Sequence, residues 1–331
     1  MHIPENYLSP STCGVMVAAM APVWAHAARR VRDDLPAEKV SLLGVAAAFS
    51  FLAMMFNVPI PGGTTGHAVC GTLVAILFGP WPALLAISMA LAMQAFLFGD
   101  GGVLALGANC FNLAFVLPMV GFGAYRLVRL HARGARGELV AAGVGSYLGI
   151  NAAALCAATE LGVQPLLFVD AAGQALFCPY PLWVSVPAML VGHLTVWGAA
   201  EVVFTVGILA YVRRVAPSFG AGVTVPDGRR GTAGVAALLA ALAVATPLGL
   251  LATGDAWGEW SAGDLAARVG YMPGGMGGWQ WAALLPDYSL GGLPGWVGYM
   301  LSAVIGVALL VVVFRLAVGL ARPEVDFDGR A

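Results

Sequence analysis

The sequence has few charged residues. Only 10% of its 331 residues are Asp, Glu, Lys or Arg, 60% are hydrophobic, and the mean hydropathy is +0.85. A soluble globular chain carries roughly 25% charged residues, so this chain has too few to cover a surface in water. Its apolar runs approach the ~20 residues with which a helix crosses a bilayer. A soluble domain is therefore excluded, and we predict an all-α, polytopic integral membrane protein.

The sequence is also poor in lysine and in the motifs of hydrolytic enzymes. Its single lysine, Lys39, follows Glu38, so the Gly-Lys-Ser/Thr ending of an ATP-binding loop is absent. No His-Glu-x-x-His or Gly-x-Ser-x-Gly motif occurs. The five cysteines are an odd number spread over several apolar segments, which argues against a disulfide framework. We expect no enzymatic activity and no nucleic-acid partner.

The orientation in the membrane follows from the few positive charges. The apolar segments predict nine spans, at 11–28, 40–57, 67–80, 81–98, 103–125, 139–161, 183–212, 231–253 and 295–320. Lys and Arg collect at the cytoplasmic ends of spans. With the N-terminus outside, all but one of the 16 Lys and Arg residues fall on the inner side, and the exception is Arg268. We therefore expect an extracytoplasmic N-terminus and a cytoplasmic C-terminus.

A polar segment rich in Gly and Pro, VAPSFGAGVTVPDGRR at 215–230, divides the predicted spans. Before this linker, residues 1–214 would form a seven-helix membrane domain. After it, residues 231–322 would form a two-helix region with an extracytoplasmic loop at 254–294. Tryptophans are frequent in this loop, and Trp near a membrane end usually lies at the headgroups. The loop is therefore either a hairpin that lies on the membrane or a functional lid.

The first ten residues, MHIPENYLSP, have the donor atoms of a metal chelate. They lack the positive start and the apolar run of a secretory signal, and their prolines suit a segment that folds back into the bundle. The amine of Met1, the backbone nitrogen of His2 and the imidazole Nδ1 of His2 would close fused five- and six-membered rings around an ion. A planar set of nitrogen ligands suits Ni(II) or Cu(II), and the amine must be deprotonated to bind.

A fourth ligand is expected from the stretch NVPIPGGTTGH, which ends at His67. Its prolines and glycines interrupt the helix after the second span, and non-helical backbone at that depth is tolerated around a protein-lined cavity. We place His67 at the start of the third helix, where the helix dipole favours a neutral imidazole. A histidine there is often only a cap, but the pairing with Met1 and His2 favours a ligand. A thiolate of Cys70, one turn later, is the alternative.

Two ionisable residues, His193 and Glu201, share one face of the seventh span. Ionisable groups inside a membrane are functional candidates. Glu201 would either take part in coupling or pair with Arg213 or with an arginine of another inner loop.

The N-terminal motif and the loop NVPIPGGTTGHAVCGT together resemble the metal-binding membrane subunit of energy-coupling-factor nickel and cobalt transporters, the CbiM/NikM family, over residues 1–212. The resemblance implies that the ion is held by the Met1 amine, the His2 backbone and imidazole nitrogens, and His67. Residues 231–320, with LLPDYSLGGLPGW, resemble the small two-helix companion subunit, fused to the first.

The resemblance also implies a function. The chain would be the substrate-capturing component of an ATP-driven importer in the lipid bilayer of a bacterial inner membrane, with nickel preferred over cobalt as substrate. Its partners would be a membrane coupling (T) subunit and cytoplasmic ATPase subunits. Three alternatives stay open: a cobalt-specific importer subunit, a stand-alone ion-coupled carrier, and an intramembrane metalloenzyme. A carrier would need charged groups near mid-membrane, where His193 and Glu160 are the candidates.

Overall fold

Helices make up nearly all of the regular structure. The computed structural model describes residues 1–59, 65–216, 228–252 and 260–320. Its helices are α1 Pro10–Asp34, α2 Ala37–Met54, α3 Gly71–Phe78, α4 Pro80–Phe98, α5 Leu106–His131, α6 Gly134–Gly162, α7 Leu182–Val215, α8 Gly228–Ala245, α9 Ala262–Val269 and α10 Gly295–Leu320. Short helical turns follow at Gln164–Leu167, Thr246–Leu251 and Pro286–Tyr288, and two short strands, β1 Val58–Pro59 and β2 Thr65–Gly66, form a hairpin.

Seven of the described helices are long and apolar enough to cross a membrane: α1, α4, α5, α6, α7, α8 with its following turn, and α10. Many of their large apolar side chains are exposed, such as Val203 at 69% and Leu316 at 61%, as expected for surfaces that face lipid. The predicted all-α polytopic fold is confirmed. The side of the membrane on which each terminus lies stays a prediction.

The third predicted span is wrong in its extent. The helix starts at Gly71, not at His67, and its eight residues, all buried, are about 12 Å long at 1.5 Å per residue. That is less than half of the ~30 Å of a bilayer core. The reason lies in residues 65–70, which first form β2 and then an irregular turn that ends at Cys70 with a left-handed φ of 60°. α3 is therefore a buried half-helix inside the bundle.

Three of the long helices contain π-helical stretches, at Gln94–Phe98 in α4, Cys110–Val116 in α5 and His193–Trp197 in α7. A π-bulge widens the helix and redirects its side chains, and such bulges are frequent at functional sites. The stretch in α4 leads directly into the loop at 99–105. Gln94 at its start is fully buried, so the local widening turns this polar side chain into the protein.

The two C-terminal helices pack on the first seven mainly through α2. Gly44 of α2 lies against α10, and a Cβ there would be only 3.0 Å from the Cβ of Phe314. Gly306 of α10 lies in turn against the ring of Phe51 in α2. Small residues at both crossing points let the two backbones approach closely, as in other membrane helix pairs. This packing places the loop between α8 and α10 at the end of the bundle where residue 1 lies.

Candidate metal site

The N-terminal segment is buried inside the bundle, as the sequence predicts. Met1 is 7% exposed, His2 5% and Ile3 1%. Asn109 of α5 pairs with Ile3 as a neighbouring strand would: its side chain accepts from the Ile3 amide at 2.7 Å and donates to the Ile3 carbonyl at 3.0 Å. The Gly102 amide donates to the same carbonyl at 2.9 Å. The segment's backbone is therefore held by hydrogen bonds, and Met1 and His2 have a fixed place.

The turn that carries His67 is held from α7. Two consecutive amides, those of Val69 and Cys70, donate to one carboxylate oxygen of Glu201 at 2.7 and 3.0 Å. The β-hairpin before the turn is held by Trp197, whose indole donates to the Val58 carbonyl at 3.0 Å. Gly66 is required here because any Cβ would collide with that indole ring. α7 thus fixes the backbone on both sides of His67.

The structure brings the three predicted ligand residues together. Met1, His2 and His67 line one cavity of about 550 Å³. The imidazole rings of His2 and His67 have their centroids 4.8 Å apart, and the Nε2 atom of each ring is buried without a hydrogen-bond partner. Burial lowers the pKa of the His67 imidazole and so favours its neutral form, which offers a lone pair to a metal ion. Two such nitrogens beside the chain's first amine are an arrangement suited to capturing a cation.

The donor set depends on main-chain nitrogens. Within the described part of the chain, no group of three or more His, Cys, Asp and Glu side chains is placed to hold a metal ion. Two histidines alone supply two ligands, so a four-nitrogen site also needs the Met1 amine and the His2 backbone nitrogen. The loop residues 60–64, IPGGT, lie outside the described residues.

One predicted donor atom, Nδ1 of the His2 imidazole, already has a hydrogen-bond partner. This nitrogen lies 2.6 Å from Oδ1 of Asp100, in the loop after α4. Closing the six-membered ring through Nδ1 therefore requires the imidazole to rotate away from Asp100. Burial alone would raise the pKa of Asp100, but the neighbouring charge and hydrogen bond of His2 and the Tyr288 hydroxyl hold this pKa below its usual value. Asp100 is thus an ionised partner of His2.

Reasoning from the sequence missed this partner, because Asp100 lies in a glycine-rich loop that carries no recognisable ligand motif. The only available signal was its isolation, since a carboxylate between Gly99 and Gly101 is unusual in a chain so poor in charge. Gly101 also has a positive φ of 87° and lies against the His2 side chain, which lets the loop approach the N-terminus closely.

The described part of the loop between α8 and α10, residues 260–294, covers the N-terminal segment. The Tyr7 hydroxyl donates to the Trp260 carbonyl at 2.8 Å. The Leu285 amide donates to the Leu97 carbonyl at 2.8 Å, at the end of α4. Asp287 and Tyr288 line the same cavity as Met1, His2 and His67. Of the two interpretations of the predicted loop, these contacts favour a lid; residues 254–259 lie outside the described part.

The other candidates have structural partners. Cys70 does not line the cavity. His193 is hydrogen-bonded through Nδ1 to the Met189 carbonyl at 2.7 Å, and its ring contacts Trp197 edge-on. The expected pairing of Glu201 with Arg213 is wrong, since Arg213 pairs with Glu138 at 2.6 Å. Glu201 lies too far along α7 for that pair and faces the His67 turn instead.

We expect Glu201→Gln to weaken metal binding about tenfold, the lower range for a residue that supports a metal ligand. The neutral amide accepts the Val69 and Cys70 hydrogen bonds more weakly than a carboxylate, so the turn after His67 loosens. Glu138→Gln is the matched control, because it removes a carboxylate paired with Arg213 and leaves the turn intact. Titration with nickel measures both variants; equal affinity of Glu201→Gln and the unmodified chain would remove Glu201 from the site's support.

Family models match almost the whole chain in two parts. Residues 2–219 match the family described as the cobalt uptake substrate-specific transmembrane region, CbiM. The chain belongs to the CbiM family. Residues 232–322 match a second model, the PDGLE domain. The predicted resemblance to CbiM/NikM subunits with a fused companion is confirmed, whereas the division at 1–214, 215–230 and 231–322 stays a prediction, since residues 217–227 lie outside the described part.

Similar proteins share this fused arrangement. The chain is 49% identical to the probable fused nickel transport protein LarMN of Lactiplantibacillus plantarum, over 95% of this chain and 97% of that protein. It is 47% identical to the fused nickel transport protein NikMN of Rhodobacter capsulatus, over 97% and 98% of the two chains. A crystal structure described as a truncated transition metal transporter matches at 51% identity and a TM-score of 0.62, over 65% of this chain and 99% of that one.

Proposed function

We propose that this chain is the substrate-capturing membrane component of an ATP-driven importer for divalent transition metal, with nickel preferred over cobalt. The observation that carries the proposal is the meeting of Met1, His2 and His67 at one cavity, with two unpartnered imidazole nitrogens in it. The donors are the Met1 amine, the His2 backbone nitrogen, one imidazole nitrogen of His67, and Nδ1 of His2, which turns from Asp100 to the ion when the metal binds. Four nitrogens without a thiolate suit the planar coordination of Ni(II).

The preference for nickel has two supports. A planar nitrogen set is a geometry that Ni(II) adopts readily. Two relatives that match nearly the full chain, LarMN and NikMN, are named nickel transport proteins, whereas the family model is described by cobalt uptake. A cobalt-specific importer subunit is therefore the second candidate, and competition between the two ions for one site distinguishes them.

The proposed energy source is outside this chain. An ATP-binding loop ends in Gly-Lys-Ser/Thr, and the single lysine, Lys39, follows Glu38. We propose cytoplasmic ATPase subunits and a membrane coupling (T) subunit as partners in a bacterial inner membrane. The metal cavity would open to the outside, because the positive residues favour an extracytoplasmic N-terminus and a cytoplasmic C-terminus.

Uptake into proteoliposomes tests this function. The chain reconstituted with its coupling and ATPase subunits should accumulate nickel when ATP is supplied on the cytoplasmic side. The same vesicles should accumulate none when the phosphate-binding lysine of the ATPase is replaced. The chain alone should not transport under an imposed proton or sodium gradient. Gradient-driven uptake by the chain alone would identify a secondary carrier and overturn the proposal.

A further inference from the structure

One tyrosine of the loop between α8 and α10, Tyr288, contacts the carboxylate that pairs with His2. Its hydroxyl donates to Oδ2 of Asp100 at 2.5 Å. The amide of Gln94 donates to the same oxygen at 3.1 Å and lies 3.0 Å from the tyrosine hydroxyl. The other oxygen of Asp100 pairs with His2. A continuous chain of hydrogen bonds therefore runs from the companion region, through Asp100, to the imidazole of the proposed ligand.

Tyr288 is itself held in a fixed position. Its ring is stacked on Phe98 with the centroids 4.7 Å apart, and it contacts Tyr299 edge-on at 5.2 Å. Ser302 of α10 donates to the Tyr288 carbonyl at 2.9 Å. Asp287 and Tyr288 both have positive φ angles, 52° and 56°, which are rare for residues other than glycine. A strained turn that persists at a ligand cavity is typical of a functional constraint.

We propose that Tyr288 is a positioning residue of the metal site, acting through Asp100 on His2. The inference rests on the proposed function and adds a role for the fused companion region in metal capture itself. It places that region in contact with the site, rather than only beside the membrane domain.

The two donors on Oδ2 have a defined physical effect. Tyr288 and Gln94 fix the plane of the Asp100 carboxylate and withdraw part of its charge from Oδ1. The carboxylate thus keeps His2 within reach of the ion without binding its Nδ1 so strongly that the ion cannot displace it. Burial and the Asp100 charge raise the pKa of Tyr288, so its hydroxyl keeps the proton that it donates.

The test is Tyr288→Phe, which removes only the hydroxyl and keeps the stacked ring. Without this donor, Asp100 loses its fixed orientation, and more of its negative charge lies on Oδ1, the oxygen that pairs with His2. Both changes weaken metal capture. We expect nickel affinity, measured by calorimetric titration of the full chain, to fall about tenfold, in the range for partners of metal ligands. The visible absorption of bound Ni(II) should shift, because the position of the His2 ring changes.

Tyr299→Phe is the matched control. Tyr299 lines the same cavity, but its hydroxyl donates to the Met55 carbonyl at 3.0 Å and not to Asp100. This variant should bind nickel as the unmodified chain does. An equal loss of affinity in both variants would show that removing either tyrosine hydroxyl at this cavity has the same effect. That result would overturn the inference.

A double-mutant cycle tests the route through Asp100. In an Asp100→Ala background, Tyr288→Phe should have no further effect on affinity, since the group on which it acts is gone. A full additional tenfold loss in that background would overturn the inference, as would native affinity of Tyr288→Phe alone. Failure of the unmodified chain to bind nickel at all would instead overturn the proposed function, so the two failures are distinguishable.

Discussion

Replacing His67 with alanine is expected to abolish stoichiometric nickel binding while the chain stays folded. His67 is the one proposed ligand that the N-terminal dipeptide does not supply, and without it three nitrogens leave the coordination plane incomplete. Nickel affinity should fall by more than the about 10- to 100-fold expected when a residue that supports a metal ligand is replaced. Folding should persist because the backbone around residue 67 is held by Glu201 and Trp197, not by the imidazole.

The matched control for His67→Ala is Cys70→Ala. Both residues lie in the turn before α3 and are buried, but only His67 lines the cavity. Cys70→Ala should bind nickel normally, as measured by titration with the same metal stock. Stoichiometric nickel in His67→Ala would exclude that residue from the site, and loss of nickel in Cys70→Ala would favour the thiolate as a ligand.

A peptide extension before Met1 should reduce nickel binding as strongly as His67→Ala does. It converts the primary amine into an amide, which removes one donor, and Met1 and His2 are buried, so the added residues must either enter the metal cavity or displace the segment. We expect nickel binding and ATP-dependent uptake to be lost while the helices still assemble, as judged by thermal unfolding. The same extension at the C-terminus is the control and should leave binding intact.

Insertion of one residue between Met1 and His2 separates chelation from delivery. The new start, an amine followed by two residues and then histidine, would offer four nitrogens by itself in fused five-, five- and six-membered rings. Nickel would then be bound without His67. Such a variant is expected to bind metal and transport poorly, because the ion is no longer held at the place that the bundle presents.

The meeting of Met1, His2 and His67 could be predicted because it follows from local chemistry. An N-terminal amine, a backbone nitrogen and an imidazole at position two form a chelate whatever fold surrounds them, and such a chelate requires one more donor. The apolar segments were equally visible, because hydropathy reports directly which residues meet lipid. Apart from His67, these features depend on residues that are neighbours in the sequence.

The supporting residues could not be predicted in this way. Asp100 and Tyr288 are 188 positions apart, and their contact depends on how α10 packs against α2. The sequence left pairing with Arg213 open as one alternative for Glu201, but two amides of the His67 turn provide a better partner for a buried carboxylate. The late start of α3 has a similar origin, since residues 65–70 form β2 and an irregular turn in place of the first helical residues.

The central claim is that the chain's own N-terminus holds the metal together with His67. Elemental analysis of purified protein that begins at Met1, beside the same protein with an N-terminal extension, tests this claim most directly. The account predicts one nickel ion per chain in the first form and almost none in the second. Equal nickel content in the two forms, or a metal-free first form after exposure to nickel, would contradict it.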